Sequence, residues 1–348
     1  MKVYWFFIFL LTLSFLSQSS AQNATARFLF WQPSARSIAL GGAGVAIVDN
    51  SFASYYNPAL LGVQSTHYQA TGSFGRPYPF MPNTVYSFTG VTIPIPNIGV
   101  LALSTNRYWI EGQAITSEHS PIPTGISREK NDFINPSHWD AKLSFGTKLN
   151  ENMVVGASTT FQKIMLFDYL NNTSQKGDGK SNTMLFSAGF LYHNLFPQIT
   201  VTGSTPASFQ NHDLKNGLSI GLAMHNLGPK IQFIDKRQND NPPTYLTLGF
   251  GYTPYISKNA SLTLLTDFEK QFFNDATLDY IHLGQELLIM DMITIRAGYF
   301  LDTFEPHTSY KTIGAGLQTK YFSINLARYN RGLQPAWHFD ASLSMEVK

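Results

Sequence analysis

HFDASLSMEV, residues 338–347, alternates without a break. Phe339, Ala341, Leu343, Met345 and Val347 fall on one face, and His338, Asp340, Ser342, Ser344 and Glu346 on the other. A period of two is the signature of a β-strand, whose successive side chains leave opposite faces of the pleat. A run of about ten residues is the length a tilted strand needs to cross a bilayer.

Similar runs recur back to residue 66. They begin near Thr66, Thr84, Ile98, His138, Met153, Asn182, Gly217, Thr244, Ala260, Thr277, Met292, Ser309, Phe322 and Ala336. Trp139, Ala141, Leu143 and Phe145 oppose Asp140, Lys142, Ser144 and Gly146. Leu218, Ile220, Leu222 and Met224 oppose Ser219, Gly221, Ala223 and His225. Fourteen strands close an antiparallel barrel with both ends of the chain on one side, and closure removes the unpaired edges that hydrocarbon cannot tolerate. The expected fold is therefore all-β, a 14-stranded antiparallel transmembrane β-barrel over residues 65–348. Its localisation would be the bacterial outer membrane and its surroundings outer-membrane lipid.

Composition agrees. Charged residues make up 13% of the chain and aromatics 14%, against about 25% charged in soluble domains. A soluble β-sandwich or propeller would also alternate, but with more surface charge and shorter strands. A net charge of +2 gives no reason to expect nucleic acid as a partner. Residues 1–21 read as a signal peptide: Lys2, an apolar run from Val3 to Leu16, and small residues at Ser19-Ser20-Ala21, with cleavage before Gln22. The rival, a membrane anchor, is disfavoured because the apolar run is short. With no cysteine there is neither a lipoprotein anchor nor a disulfide framework.

Connections alternate in length. Short turns fall at Pro96-Asn97, Asn150 to Asn152, Ser257 to Asn259, Met290-Asp291 and Lys320-Tyr321. Longer ones lie at Arg107 to Pro136, Leu166 to Ser181 and Asn226 to Asn241, as in barrels with short periplasmic turns and long outer loops. His193 to Lys215 breaks the parity, either as a periplasmic excursion, which turn chemistry at Phe196-Pro197 favours, or as a missed strand pair. Aromatics near strand ends (Tyr245, Tyr252, Tyr255, Tyr280, Tyr299, Phe300, Tyr321, Phe322, Trp337 and Phe339) suit interfacial girdles. Asp267, Glu269, Arg296, Asp340 and Glu346 are expected to face the lumen, because a charge turned to lipid is costly.

Residues 22–64 do not alternate. The core of the segment, QPSARSIALGGAGVAIVDNSFASYYNPALLG (32–62), is too apolar for a disordered tail and too small-residued for a lipid-facing strand. Gly41, Gly42 and Gly44 permit close approach and positive φ. Asp49-Asn50-Ser51 signals a turn or cap, Phe52 to Tyr56 one helical turn, and Asn57-Pro58 an extended residue before a turn. The expected place is the lumen, as a hatch; the alternative is a periplasmic extension.

The Gly/Ala run, Asp49 and the Asn57-Pro58-Ala59 element resemble the N-terminal hatch of FadL-like outer-membrane proteins, most closely the PorV/PorQ group. Asn226-Leu227-Gly228-Pro229 is similar to a strand end common in PorV-type chains. Thr266 to Lys270, Ile295 to Tyr299 and Gly314 to Leu317 add weaker parallels. The resemblance implies a fourteen-stranded barrel with its hatch inside. It also implies one of two roles: binding secretion-system components or exported cargo for a type IX-like system, the leading expectation, or passing a hydrophobic ligand such as a long-chain fatty acid through the wall. The ending Val347-Lys348 departs from the usual terminal aromatic.

No catalysis is expected. The nine His form no HExxH, and there is no GxSxG or Walker-type loop. No metal or cofactor is implied, and a rim hydrolase drafting His225 or His338 has no further support. Motifs such as Gly249-Phe250-Gly251 read as relief of crowding in a curved wall. A general diffusion porin is the rival class, separable by its conductance. Asn-x-Ser/Thr triplets at 23–25, 171–173 and 259–261 are chance matches in a bacterial protein.

Overall fold

The computed structural model describes residues 27–47, 50–64, 67–77, 83–111, 113–114, 133–166, 179–195, 217–233, 239–256, 259–272, 278–330 and 335–346. The signal-peptide segment, Asp49, Val347 and Lys348, and most of the 193–215 connection lie outside these residues.

Strands β1 (His67–Gly75), β2 (Thr84–Ile95), β3 (Gly99–Ile110), β4 (Gln113–Ala114), β5 (Phe133–Ile134) and β6 (Ser137–Lys148) come first. β7 (Met153–Met165), β8 (Lys180–Leu195), β9 (Leu218–Leu227), β10 (Ile231–Gln232), β11 (Asn239–Asp240) and β12 (Tyr245–Ile256) follow. The last are β13 (Ala260–Gln271), β14 (Tyr280–Ile289), β15 (Ile293–Asp302), β16 (Tyr310–Gln318), β17 (Phe322–Asn330) and β18 (Pro335–Glu346).

Fourteen of these form one closed antiparallel barrel, sealed by the pairing of β1 with β18. The remaining four make two small hairpins, β4–β5 and β10–β11, in connections that sequence reading treats as loops. Two-residue strands are too short to display a period. β8 pairs directly with β9, so no strand pair is inserted in the wall between them.

The alternation of side chains sorts polarity. On β18, Asp340 is 1% exposed while Leu343 and Met345 are 65% and 67% exposed, so the apolar face is the one turned out to hydrocarbon and the polar face turns in. Asp267, Glu269, Arg296 and Asp340 all face inward and are buried. Glu346 does not join them: it sits at the end of β18, exposed, 3.1 Å from Lys320. Its strand has run past the lumen contents by then.

Residues 29–47 and 50–64 lie against the inward face. Helix α1 (Ala35–Ala39) is capped by Ser34, whose side chain accepts from Ser37 N–H, a cap that the sequence reading passed over. Helix α2 (Ala53–Tyr56) leads into extended Asn57 and a 3-10 helix, Pro58–Val63. α2 and the 3-10 helix are wholly buried. Phe52, Leu60 and Leu61 form one apolar core with Phe88, Val100 and Val154 of the wall.

Candidate ligand-passage site

Asn57 is the pivot between hatch and wall. It is fully buried. Its Nδ2 donates to Val45 O at 2.9 Å and to Phe190 O at 3.1 Å, and its Oδ1 accepts from Ala59 N–H at 3.0 Å. Both amide donors and one acceptor direction are thus used, two bonds within the hatch and one on β8. Pro58 and Ala59 follow against Gly146, Gly156 and Gly189, which stand side by side on β6, β7 and β8. A Cβ on Gly156 would run into the Pro58 carbonyl carbon, and one on Gly189 into Asn57 Oδ1. These glycines make room for the hatch, a different reason from wall curvature. Gly249 and Gly251 lie likewise against Val45 to Ile47.

At the other side of the lumen, Gly41 and Gly42 adopt φ of 73° and 100°, a region open to glycine. Gly44 contributes its N–H, which with that of Val45 donates to Asp267 Oδ2 at 2.7 and 3.0 Å. Arg36 grips Glu286 through Nε at 2.8 Å and Nη2 at 2.9 Å. Glu286 also accepts from Arg296, Arg296 donates to Asn325, and Asn325 donates to Asp340, which accepts from Ala35 N–H at 2.6 Å. Four strands and α1 are thus joined by one buried chain of charge-assisted bonds. Arg296 and Asp340 are among the inward charges expected to form lumen pairs or hydrogen bonds to the hatch; Arg36, Glu286 and Asn325 are not.

Asn226 has φ of 58° and occupies a β-bulge, where the β8–β9 register shifts between Phe186 and Ala188. The extra residue turns both His225 and Asn226 inward. Asn226 Nδ2 donates to Pro243 O at 3.1 Å, and Asn226 O accepts from Thr244. Gly228 passes so close to β8 that a Cβ would lie 2.6 Å from Leu185. The strand-end motif is therefore a strand terminator and a clasp for the start of β12. It lies apart from the hatch anchors.

Three cavities follow one another. The first, about 250 Å³, stands above the hatch at the loop end of the barrel, between Gln32, Gly42 and Val45 below and Pro77 and Glu305 above. Tyr86, Tyr245, Tyr280, Phe300, Tyr310 and Tyr329 line it, with Trp31 and Tyr55 from the hatch. Tyr245, Tyr280 and Phe300 therefore belong to the lumen and not to a lipid-facing girdle, while Tyr252, Trp337 and Phe339 do face outward. The second is a void of about 20 Å³ sharing Trp31, Tyr55, Tyr86, His225 and Tyr245 with the first, and holding Asn106, His138, Asp140 and Lys142. Lys142 Nζ donates to Ser54 O at 3.4 Å and stands 5.6 Å from the Tyr55 ring. The third is an apolar groove of about 1070 Å³ in the hydrocarbon face, lined by Ala70, Phe74, Leu103, Ala141, Phe161 and Leu343 among others and reaching Lys142.

Between void and groove the β3–β6 ladder is interrupted. β3 pairs with β6 at Ser104–Lys142 and again at Arg107–Trp139, with no pair between. The register is the same on both sides of the gap, so no residue is inserted. The Asp140 side chain replaces the missing rungs: its Oδ1 accepts from Asn106 N–H at 2.9 Å and both oxygens accept from Asn106 Nδ2. Thr105 Oγ1 donates to Asp140 O. The flanking β2–β3 and β6–β7 ladders run unbroken.

No protein-family model and no curated protein matches this sequence. Solved structures do resemble it. The Pseudomonas putida toluene transporter TodX superposes with a TM-score of 0.53 at 11% identity, covering 91% of this chain and 99% of its own. The fold is that of FadL-type barrels. The CymD monoaromatic hydrocarbon channel gives 0.51 at 14% identity, with 90% and 96% covered. A Pseudomonas aeruginosa FadL homologue gives 0.50 at 13%, with 90% and 98% covered. No PorV or PorQ structure is among these neighbours. Among the described residues no group of His, Cys, Asp or Glu is placed to hold a metal ion.

Proposed function

We propose that this chain is a non-enzymatic outer-membrane channel that takes a small hydrophobic molecule at its loop end and releases it sideways into the bilayer. The observation that carries this reading is the series of vestibule, void and wall groove: the first two share Trp31, Tyr55, Tyr86, His225 and Tyr245, and the last two share Lys142 beside the gap in the β3–β6 ladder. A hydrophobic ligand gains by leaving through the wall, because it exchanges one apolar environment for another and never enters water. A straight path down the lumen instead meets the buried hatch and its charged anchors, where an apolar molecule would break satisfied polar contacts. The hydrocarbon channels that share the fold lend support. The secretion role that the Asn57-Pro58-Ala59 and Asn226 to Pro229 motifs suggest has no comparable feature in its favour: those residues serve hatch seating and strand termination.

The chain has no cysteine, which makes a cross-link test clean. Thr105→Cys with Ala141→Cys places a disulfide across the gap on the outward face. Leu143→Cys with Thr159→Cys bridges a paired position of β6 and β7. Uptake of a hydrophobic dye into liposome membranes should fall on oxidation of the first pair and return on reduction, and should not change for the second. Equal uptake by both oxidised proteins would remove the wall exit.

A further inference from the structure

The chemistry along this route narrows the ligand, and the narrowing rests on the passage reading above. The vestibule is walled by aromatic rings whose faces stack on planar molecules. Its charged groups among the described residues are acidic: Asp267, Glu269 and Glu305, with His225, His282 and His338 and neither Lys nor Arg. A carboxylate entering it would meet like charge from three acids and no Lys or Arg.

The acids are not saturated. Glu269 Oε1 accepts from Gln271 Nε2 at 3.1 Å, but Oε2 stands 3.7 Å from His282 Nε2, beyond hydrogen-bond length. Asp267 Oδ1 is buried without a hydrogen-bond partner, packed against Gly249. The vestibule thus holds an unsaturated acidic acceptor, Glu269 Oε2, beside the hydroxyl, indole and imidazole groups of its other lining residues. At the void the demand changes. Asp140 and Lys142 are both buried there, with His138 beside them. An ion of either sign squeezed between them would upset their mutual compensation in a poorly solvated site. Beyond lies hydrocarbon.

From these three steps we infer that the passage selects uncharged aromatic molecules bearing a hydroxyl donor, the phenol class, over both aromatic carboxylates and aromatic ammonium ions. The rings hold the body, Glu269 accepts from the hydroxyl, and neutrality lets the molecule pass Asp140 and Lys142.

The test uses the full-length barrel in detergent and in liposomes with four para-substituted toluenes of like size: p-xylene, p-cresol, p-toluate and 4-methylbenzylammonium. After correction for partition into detergent, p-cresol should bind at least about tenfold more tightly than p-xylene, one charge-assisted hydrogen bond's worth. Glu269→Gln should shrink the ratio of p-cresol to p-xylene affinity towards one, and that ratio is the readout. The toluate should not bind, and the ammonium should not cross into the lipid. Parity of p-xylene with p-cresol, or binding of the toluate at the strength of p-cresol, overturns the inference. The Thr105/Ala141 disulfide separates the two readings. If it stops p-xylene while p-cresol shows no advantage, only the phenol preference fails; if neither compound responds to it, the wall exit fails.

Discussion

Asn57 shows how much a single side chain can hold. Its amide joins Val45, Ala59 and β8, so truncation strands two carbonyls and one N–H in a dry site. Asn57→Ala should cost about 2–4 kcal/mol, the desolvation of several unpaired backbone groups, read as a lower urea midpoint for unfolding in detergent. A glutamine there should not rescue, because the longer chain meets the same wall. Asn57, Gly41 and Gly42 are legible in sequence because few residue types do what they do. Asp140 and Glu286 are not, and Asp267 is legible only as an inward charge. An inward aspartate that bridges a broken ladder looks, in one dimension, like any inward aspartate, and its partner Asn106 lies 34 positions away. Asp49, read as part of the hatch turn, falls outside the described residues.

Elements were easier to read than sites. Period two fixes which residues face lipid, and each strand begins within about three residues of the position its alternation suggests, as expected when strand ends fray into turns. What alternation could not reveal is where a ladder is present but unpaired, since Leu103 to Asn106 keep their period through the gap in β3. The β14–β15 turn has a hidden weakness. Met290 and Asp291 both have positive φ, 52° and 55°, the geometry of a type I′ turn that favours Asn-Gly. Asp291→Gly should therefore stabilise the barrel by about 1 kcal/mol, the cost of a left-handed conformation for a residue with a Cβ, seen as a raised urea midpoint. A lowered midpoint would mean that the Asp291 side chain has a part in the turn that the backbone does not show.

For the molecule as a whole, the hatch decides between a channel for hydrophobes and a diffusion pore. Residues 32–47 and 50–62 fill the lumen between β6–β8 and β14–β18. The intact barrel should therefore pass almost no ionic current in a planar bilayer, and deletion of 32–62 should give stable ohmic steps. Continued silence after the deletion would show that something other than this segment blocks the path. Charge pairs such as Arg36–Glu286 set a limit on how such a variant behaves. Losing Arg36 leaves Glu286 with Arg296 alone, so part of the compensation survives and the empty barrel keeps a balanced interior.

The bare strip made by Gly146, Gly156 and Gly189 bears on biogenesis. Over three neighbouring strands the wall offers backbone and nothing else to whatever lies inside, so a cylinder rolled up empty would carry a trough of naked peptide groups flooded by water. The leading segment, synthesised first, must be lying in that trough by the time the first strand zips to the last, or else thread in afterwards past its own anchors. Filling the trough with a single methyl, at Gly156, should delay maturation in refolding experiments far more than it weakens the finished wall, since the strand pairing it leaves untouched is all that the wall itself requires.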